Sequence, residues 1–349
     1  MKIEDIAKLA QVSKSAVSLA LNGKNGVSEE TREKVLRIAQ EHGYIPRTMI
    51  KVDHVDQYLR TNTKIIRFVA CTNTGIVTEQ YESLPFFMEL MRNLDQSIRS
   101  KGYSFIISSI NIDNFEEEIN KLEREQKTAG IILLGTNLTH EQIKKISYHH
   151  PLLVVLDTCY ESLDVNFVVM NNVLGAYQAG QHLIDLGHLK IGYVESTSRM
   201  YNFDQRKNGF LQVLKDNQLE VHSHFSISST IISSQDEFKQ SILNNSKNLP
   251  TALFCECDYM AISVVKSLTE LGIKVPEEIS VVGFDNIFES QVVSPELTTI
   301  HVKKDKLALV AVERLIQEIE TNENDKMKIM IDTDLVVRNS TSTTSETDV

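Results

Sequence analysis

The sequence lacks long apolar runs and is poor in cysteine. No stretch of eighteen consecutive apolar residues occurs, whereas a helix that spans a membrane needs about 20. The first twenty residues are charged where an export signal requires an apolar segment, so we expect a cytoplasmic protein that binds no membrane. The four cysteines lie in apolar, strand-like segments, which indicates reduced, buried thiols and no disulfide bonds.

Motifs typical of nucleotide-dependent and hydrolytic enzymes are also missing. No G-x-G-x-x-G follows an expected strand, no G-x-x-x-x-G-K is present, and no Ser-His-Asp or paired-glutamate motif stands out. Cys255 and Cys257 resemble half of a metal site, but no second ligand pair stands at a spacing typical of zinc. We therefore predict a protein that is not an enzyme and that holds no cofactor or metal.

The charge of the chain is unevenly distributed. The 349 residues have a net charge of -11, yet residues 1–51 carry nine Lys and Arg against six Asp and Glu, a net charge of +3. The remaining residues therefore carry -14. A basic N-terminal segment suits a nucleic acid partner, and the length of the chain leaves room for one or two further domains.

The N-terminal segment has the pattern of three short helices. Apolar residues recur at helical spacing from Ile3 to Ala10, and Ser13 and Ser28 stand where they can cap a second and a third helix. The turn between the first two helices is tight, as in a helix-turn-helix, whose second helix lies in the major groove of DNA. A three-helix bundle that binds no ligand is the alternative.

Two phrases, IEDIAKLAQVSKSAVSLALNG and VSEETREKVLRIAQEHGYIP, resemble the DNA-binding head of the LacI/GalR repressor family. The resemblance implies a helix-turn-helix domain over residues 1–48 that reads bases with Lys14, Ser15 and Leu19. Lys14 can donate to guanine, whereas Leu19 can contact only a thymine methyl group or another apolar surface. Three further positions match phosphate contacts, with helix capping or solvation as the alternative for each: Ser13, Ser18 and Asn22.

The segment after the head departs from the family pattern. Family members follow a Tyr-x-Pro sequence with a short hinge helix whose leucine enters the minor groove, but here the hinge or linker, residues 49–64, is longer. Its ending, LRTNT, makes Leu59 the matching leucine. Asp53 and Asp56 would then lie near phosphates, where their charge is unfavourable. An ordinary surface helix or linker is therefore the alternative.

From residue 65 onward, short apolar runs alternate with helical patterns. The runs predict strands at residues 65–70, 105–109, 130–134, 152–156, 190–194, 252–255 and 280–283, with helices between them such as residues 86–100, 175–186 and 260–271. Such alternation is typical of parallel, doubly wound sheets covered by helices on both faces. About 270 residues exceed what one such sheet normally uses. We therefore predict an α/β core with two sheets.

The core also carries phrases such as VVLDTCY, QRKNGF and VVGFDN in an order that resembles the effector core of the same family, which is similar to type I periplasmic binding proteins. The resemblance implies an effector-binding and dimerisation core over residues 65–340. We expect lobe one at about residues 65–160 and 290–322 and lobe two at about 161–289 and 328–340. The polar end, residues 341–349, is expected to be a disordered tail.

Three charged side chains of the core match ligand-binding positions of the family. Arg206, three residues before Gly209, has a planar fork that can hold two hydroxyls or a carboxylate, with an interlobe salt bridge as the alternative. Asp285 and Asp157 follow predicted strands and can accept hydrogen bonds from ligand hydroxyls. For both carboxylates the alternative is a helix or turn cap.

Less polar side chains complete the expected effector site. Cys257 stands where relatives often have an asparagine, so this chain offers its ligand fewer hydrogen bonds there. Phe86 and Phe87, with Tyr81, can stack on a sugar or a base, whereas core packing or a dimer contact is the alternative. His182 and His188 are six residues apart, so we expect packing and turn hydrogen bonds rather than metal binding.

These features predict a homodimeric transcriptional regulator, expected to be a repressor, that binds a pseudo-palindromic operator in double-stranded DNA. A small molecule between the lobes, expected to be a carbohydrate or a derivative of one, controls its affinity for the operator. A regulator that needs a purine corepressor is one alternative, and a cytoplasmic sugar-binding protein without a DNA role is another. The sequence does not decide whether the effector releases the DNA or tightens its binding.

Overall fold

The computed structural model describes residues 3–21, 26–41, 64–78, 80–229, 232–321 and 325–344. The chain divides into two compact units, Met1–Thr63 and Lys64–Val349, which we call the head and the core and describe separately. Asn22, Leu59 and the hinge segment before Lys64 lie outside the described residues. Among the helices of the described ranges, none combines the length and the apolar character that crossing a bilayer requires.

The head contains the three helices that the sequence predicts: α1 (Ile3–Ala10), α2 (Lys14–Leu21) and α3 (Glu29–Glu41). Gln11 adopts a φ of 57° in the turn between α1 and α2, and the Val12 amide donates to the Ala7 carbonyl at 3.0 Å. The apolar faces of the three helices bury one another and form a separate small core: Ile6, Ala7, Ala10, Val17, Ala20, Leu21, Val35 and Ala39.

The core contains two six-stranded sheets. Sheet one has the order β11-β5-β4-β3-β1-β2, and sheet two the order β12-β10-β9-β8-β6-β7. Strands of sheet one are β1 (Ile65–Thr72), β2 (Ser104–Asn111), β3 (Gly130–Leu134), β4 (Leu153–Leu156), β5 (Asn166–Met170) and β11 (Lys328–Ile331). Strands of sheet two are β6 (Ile191–Ser196), β7 (Ser223–Ile227), β8 (Ala252–Cys255), β9 (Ser280–Asp285), β10 (Thr298–His301) and β12 (Asp334–Val336).

Helices connect the strands and cover the sheets, as the predicted doubly wound fold requires. Every strand pair in both sheets is parallel except β10 with the edge strand β12, which is antiparallel. The helices of the core are α4 (Pro85–Ser100), α5 (Phe115–Glu125), α6 (His140–His149), α7 (Asn172–Asp185), α8 (Tyr201–Asp216), α9 (Asp236–Asn244), α10 (Asp258–Glu270) and α11 (Lys304–Thr321).

The predicted lobe boundaries are wrong at three places. Strand β5 pairs with β4, Val155 opposite Phe167, and belongs to lobe one. Strand β10 pairs with β9 and belongs to lobe two, whereas β11 pairs with β5 in lobe one. A short apolar strand has the same local pattern in either sheet, so the sheet to which it belongs cannot be determined from neighbouring residues. We now define lobe one as residues 64–170 and 304–331, and lobe two as residues 172–301 and 334–344.

Part of the expected disordered tail is ordered. Residues 341–344 lie against lobe two, where the Thr344 amide donates to the Leu186 carbonyl at 3.1 Å and the Ser342 carbonyl lies 3.0 Å from His188 Nε2. His182 Nε2 contacts the Thr341 hydroxyl at 3.0 Å. The polar composition of this segment suggested disorder, but backbone groups can form hydrogen bonds without apolar side chains nearby. The side chains of both histidines therefore form hydrogen bonds to distant segments, and not the turn hydrogen bonds that the sequence suggested.

Candidate functional site

Ser13 begins the predicted recognition helix of the head as its cap. Its hydroxyl accepts a hydrogen bond from the Ala16 amide at 3.1 Å and lies 2.8 Å from the Ser15 hydroxyl. The first amides of a helix have no partner within the helix, so this bond stabilises the start of α2. Ser13 therefore caps helix α2, which is the alternative role stated for it.

Lys14 and Ser15 are exposed at the start of α2, as a base-reading role requires. Lys14 Nζ lies 2.7 Å from Glu4 Oε1, and the two side chains are 65% and 55% exposed. Such an exposed ion pair contributes little to stability, so DNA can replace it at small cost. Ser18 and Leu19 are half-buried one turn further along the same helix.

In the core, a cleft lies between the carboxyl ends of the strands of the two sheets. It encloses about 410 Å³ that protein atoms do not fill, including its open mouth. Lobe one contributes mainly apolar side chains and lobe two contributes most of the polar ones. The lining residues are Ile76, Leu84, Phe86, Phe87 and Asp157 from lobe one, and Met200, Asn202, Phe203, Arg206, Ser229, Cys257, Tyr259 and Asp285 from lobe two. Six of the seven residues expected to contact the effector are among them, and Tyr81 is not.

Gly209 allows helix α8 to pack closely against α7. A Cβ atom at this position would lie 2.2 Å from the Val173 carbonyl oxygen, so no larger residue fits without moving a backbone. Arg206 lies almost one turn earlier on the same helix, and the close packing brings its side chain to the floor of the cleft. The sequence QRKNGF therefore contains both Gly209, which allows the close helix packing, and Arg206, which this packing positions.

The Arg206 guanidinium is 2% exposed and is held by three oxygen atoms. Its Nε donates to Asn172 Oδ1 at 3.0 Å, its Nη1 to the Glu256 carbonyl at 2.6 Å, and its Nη2 to Asp285 Oδ1 at 2.9 Å. The group also lies 3.8 Å from the centroid of the Phe284 ring. An arginine has five N–H donors, so these three bonds to described residues leave two donors for a ligand.

Asp285 is the ion-pair partner of Arg206 and lies in the same lobe, so the interlobe salt bridge stated as the alternative for Arg206 is not the one observed. Its φ of 112° is a conformation that residues with a side chain rarely adopt. Burial raises the pKa of its carboxyl group, although the cations Arg206 and Lys304 oppose the rise. Asp285 thus combines a strained backbone with a buried acceptor at the cleft.

Asp157 is the polar contribution of lobe one. Its Oδ2 accepts from the Thr136 hydroxyl at 2.5 Å, and its Oδ1 accepts from Asn202 Nδ2 at 2.7 Å. The second bond joins the two lobes. Burial raises the pKa of Asp157 to about 6, whereas the hydrogen bonds and Arg206 favour the charged form. Asp157 therefore connects the two lobes through a hydrogen-bond acceptor whose charge depends on pH.

Sequence reasoning missed Asn202 and Tyr259. Asn202 lies one helical turn before Arg206, and this spacing could have pointed to it because residues four apart share a helix face. Its Oδ1 accepts from Asn172 Nδ2 at 2.9 Å. The Tyr259 hydroxyl accepts from the Phe86 amide of lobe one at 3.1 Å. No local pattern indicates this second bond, because the two residues are 173 positions apart.

The aromatic and sulfur-containing residues lie as expected, apart from Tyr81. The rings of Phe86 and Phe87 meet edge to face with centroids 5.4 Å apart, and both line the cleft. Tyr81 is fully buried behind Phe87 and is not part of the lining, so its predicted stacking on a ligand is not supported. The Cys257 thiol is buried at the cleft, and burial raises its pKa well above its usual value. Within the described residues, no group of metal-ligating side chains is arranged to hold a metal ion.

Comparison with protein families gives two matches. Residues 2–47 match a family described as bacterial regulatory proteins, lacI family. Residues 181–341 match the periplasmic binding protein-like domain. The first match covers the head, and the second covers most of lobe two together with α11 and β11.

Three relatives match this chain over nearly their whole length. The ribose operon repressor of Haemophilus influenzae is 30% identical over 97% of this chain and 98% of its own length. The NTD biosynthesis operon regulator NtdR of Bacillus subtilis is 31% identical over 97% of this chain and 99% of its own. The repressor PurR of Mannheimia succiniciproducens is 29% identical, covering 97% and 98%.

Solved structures support the fold. The lac repressor dimer bound to operator superposes with a TM-score of 0.70 at 24% identity, covering 98% of this chain and 99% of that one. The complex of the transcriptional regulator CelR with cellobiose gives a TM-score of 0.70 at 22% identity, covering 97% and 99%. A helix-turn-helix head followed by a two-lobed core is thus a known architecture.

Proposed function

The chain belongs to the LacI family of bacterial regulatory proteins, and from that premise we propose that it represses transcription by binding an operator with an affinity that a small molecule in the cleft controls. The family consists of transcriptional regulators, and we assign no catalytic step to this chain. A regulator of this kind acts where the DNA is, which places it in the cytoplasm. The observation that supports this proposal is the cleft between the lobes, where buried polar groups of lobe two lie opposite aromatic side chains of lobe one.

The head reads DNA through the exposed start of α2. Lys14 donates to a base edge and Ser15 contacts the same groove, whereas Ser13 and Ser18 contact phosphates and fix the position of the helix. A homodimer presents two such heads to the two halves of a pseudo-palindromic operator. The boundaries that we propose for these parts are residues 1–48 for the head and 64–344 for the core.

The effector is a sugar or a sugar derivative. The two N–H groups of Arg206 that make no bond to the described residues donate to ligand oxygens, and Asp157 and Asp285 accept from ligand hydroxyls. Phe86 and Phe87 cover the apolar face of the ring. A ligand with several hydroxyls on one edge and C–H groups on its faces matches both walls of this cleft.

A purine is the second candidate. The observation that favours it is the apolar lining of lobe one, together with Cys257 in place of a better hydrogen-bonding side chain. A planar base with few polar atoms would lie against Phe86 and use Arg206 and Asp285 at its edge. A purine would act as a corepressor if the closed core favours the DNA-binding arrangement of the heads.

A thermal-shift screen of the purified protein against sugars, nucleobases, nucleosides and amino acids tests this proposal. A sugar is expected to raise the unfolding temperature, because a ligand that binds only the native state stabilises it. The shift should disappear in Arg206→Ala. Stabilisation by a nucleobase and by no sugar would overturn the carbohydrate assignment and support the purine alternative.

A further inference from the structure

Lys304, the first residue of α11, is 1% exposed although lysine is rarely buried. It stands where the chain returns from lobe two to lobe one. Its Nζ donates to the Asp285 carbonyl at 2.9 Å and lies 3.2 Å from Glu89 Oε2. The same atom lies 5.5 Å from the centroid of the Phe86 ring. Lys304 is not among the site residues predicted from the sequence.

The three contacts of the ammonium group belong to two parts of the core, one in each lobe. Asp285 ends strand β9 of lobe two, Glu89 lies on helix α4 of lobe one, and Phe86 is a wall of the cleft on the same helix. Removing an ammonium group from water is unfavourable unless its donors find acceptors. Of these contacts, the bond to the Asp285 carbonyl crosses between the lobes, so all three form together in the lobe arrangement seen here.

Lys304 therefore acts on both walls of the cleft at once. On the polar wall it binds the carbonyl of Asp285, whose φ of 112° needs support from its surroundings. The same backbone position directs the Asp285 carboxylate to Arg206. On the apolar wall it attracts the face of the Phe86 ring, while the Phe86 amide donates to the Tyr259 hydroxyl of lobe two.

We propose that Lys304 is a positioning residue for the effector, which holds Phe86 and Asp285 at a fixed separation across the cleft and so couples ligand binding to the arrangement of the lobes. This role rests on the proposed function, in which the effector binds between these two walls. A ligand that contacts both residues then gains affinity from their fixed separation, because the protein loses less freedom on binding.

Hydrogen exchange of the protein without any added small molecule tests the positioning directly. In Lys304→Met, exchange is expected to rise at least about fivefold in residues 85–90 and also in residues 284–288, which lie in different lobes. Lys306→Met is the matched control, because Lys306 is exposed two positions further on the same helix. A rise in only one segment, or in neither, would overturn the proposal.

Glu89→Gln provides a second variant in case Lys304→Met does not fold. Glu89 is 38% exposed, so losing its charge leaves the fold intact, and a smaller rise in the same two segments is expected. If neither segment responds in Glu89→Gln when Lys304→Met is unfolded, the positioning role is wrong.

Binding of two probes, D-ribose and adenine, separates this inference from the proposed function. For whichever probe binds, the dissociation constant is expected to rise about tenfold or more in Lys304→Met and to stay unchanged in Lys306→Met. Binding that depends on Arg206 but not on Lys304 would overturn the inference and leave the proposed function standing. If neither probe binds, the proposed effector classes lose support, and the exchange experiment still decides the role of Lys304.

Discussion

Arg206 and Asp285 form an ion pair of 2.9 Å within lobe two, at a point where both side chains are almost completely buried. The guanidinium fork is held in place by this carboxylate, by Asn172 and by the Glu256 carbonyl. The geometry is thus fixed before any ligand arrives, which lowers the entropic cost of binding. A ligand at the cleft meets preformed donors and acceptors on the floor of lobe two.

Replacing Arg206 by lysine should therefore abolish most effector binding although the positive charge remains. Lysine has no planar fork, so it cannot keep the Asp285 and Glu256 bonds and also donate to a ligand. Isothermal titration with the compound found in the thermal-shift screen should show a loss of affinity of about tenfold or more. Arg124→Lys, an exposed change in lobe one, is the control. Equal affinity in Arg206→Lys and wild type would show that the ligand does not use the fork.

Gly209→Ala should destabilise the core. The added Cβ would lie 2.2 Å from the Val173 carbonyl oxygen, so helices α7 and α8 must separate. Overpacking of this kind costs about 1–3 kcal/mol. Chemical denaturation of the full chain measures the loss, with the exposed neighbour Asn208→Ala as control. If Gly209→Ala is as stable as wild type, the close helix packing does not exist in solution.

The buried carboxyl group of Asp157 should make stability depend on pH in the mildly acidic range. Its pKa in the folded protein, about 6, is above the unfolded value, so the native state binds more protons between about pH 4 and 6. The free energy of unfolding therefore gains a contribution as the pH falls through 6 and loses it as the pH rises. The size of this contribution is about 3 kcal/mol at most.

Asp157→Asn tests this contribution, because an amide can accept from Asn202 and donate to the Thr136 hydroxyl in the same geometry. The difference in unfolding free energy between the variant and wild type should be larger at pH 7.5 than at pH 5, in favour of the variant. Urea denaturation at the two pH values measures it. A difference that does not change with pH would mean that Asp157 is not protonated in this range.

Ser13→Ala should weaken the start of the recognition helix. The hydroxyl that accepts from the Ala16 amide is lost, and such a cap contributes about 1 kcal/mol. Amide exchange in α2 should become about five times faster, measured on the full chain. Lys34→Ala, an exposed change on α3, is the control and should leave that exchange unchanged. Equal effects of the two substitutions would contradict the capping role.

Local patterns were sufficient to predict the three helices of the head and seven of the twelve strands in the described residues, because capping and the periodicity of helices and strands are determined by neighbours in sequence. The individual site residues followed from the resemblance to the family. Ser28 caps α3 as predicted, with the Thr31 amide donating to its hydroxyl at 3.3 Å. The sheet to which a strand belongs was not predictable for residues 166–170 or 328–331, because it depends on pairing with distant strands. Tyr259 was missed for the same reason, since its partner Phe86 lies on the other lobe.

The central claim is that the head binds DNA and that a ligand in the cleft controls this binding. Its most direct test is a titration of the full-length protein with DNA from its own promoter region at moderate salt, with and without the compound that stabilises the core. We predict sequence-specific binding whose affinity changes with that compound, and a loss of discrimination of about 1–3 kcal/mol in Lys14→Ala. Binding that is equally weak on promoter and unrelated DNA, and that no cleft ligand alters, would contradict the claim.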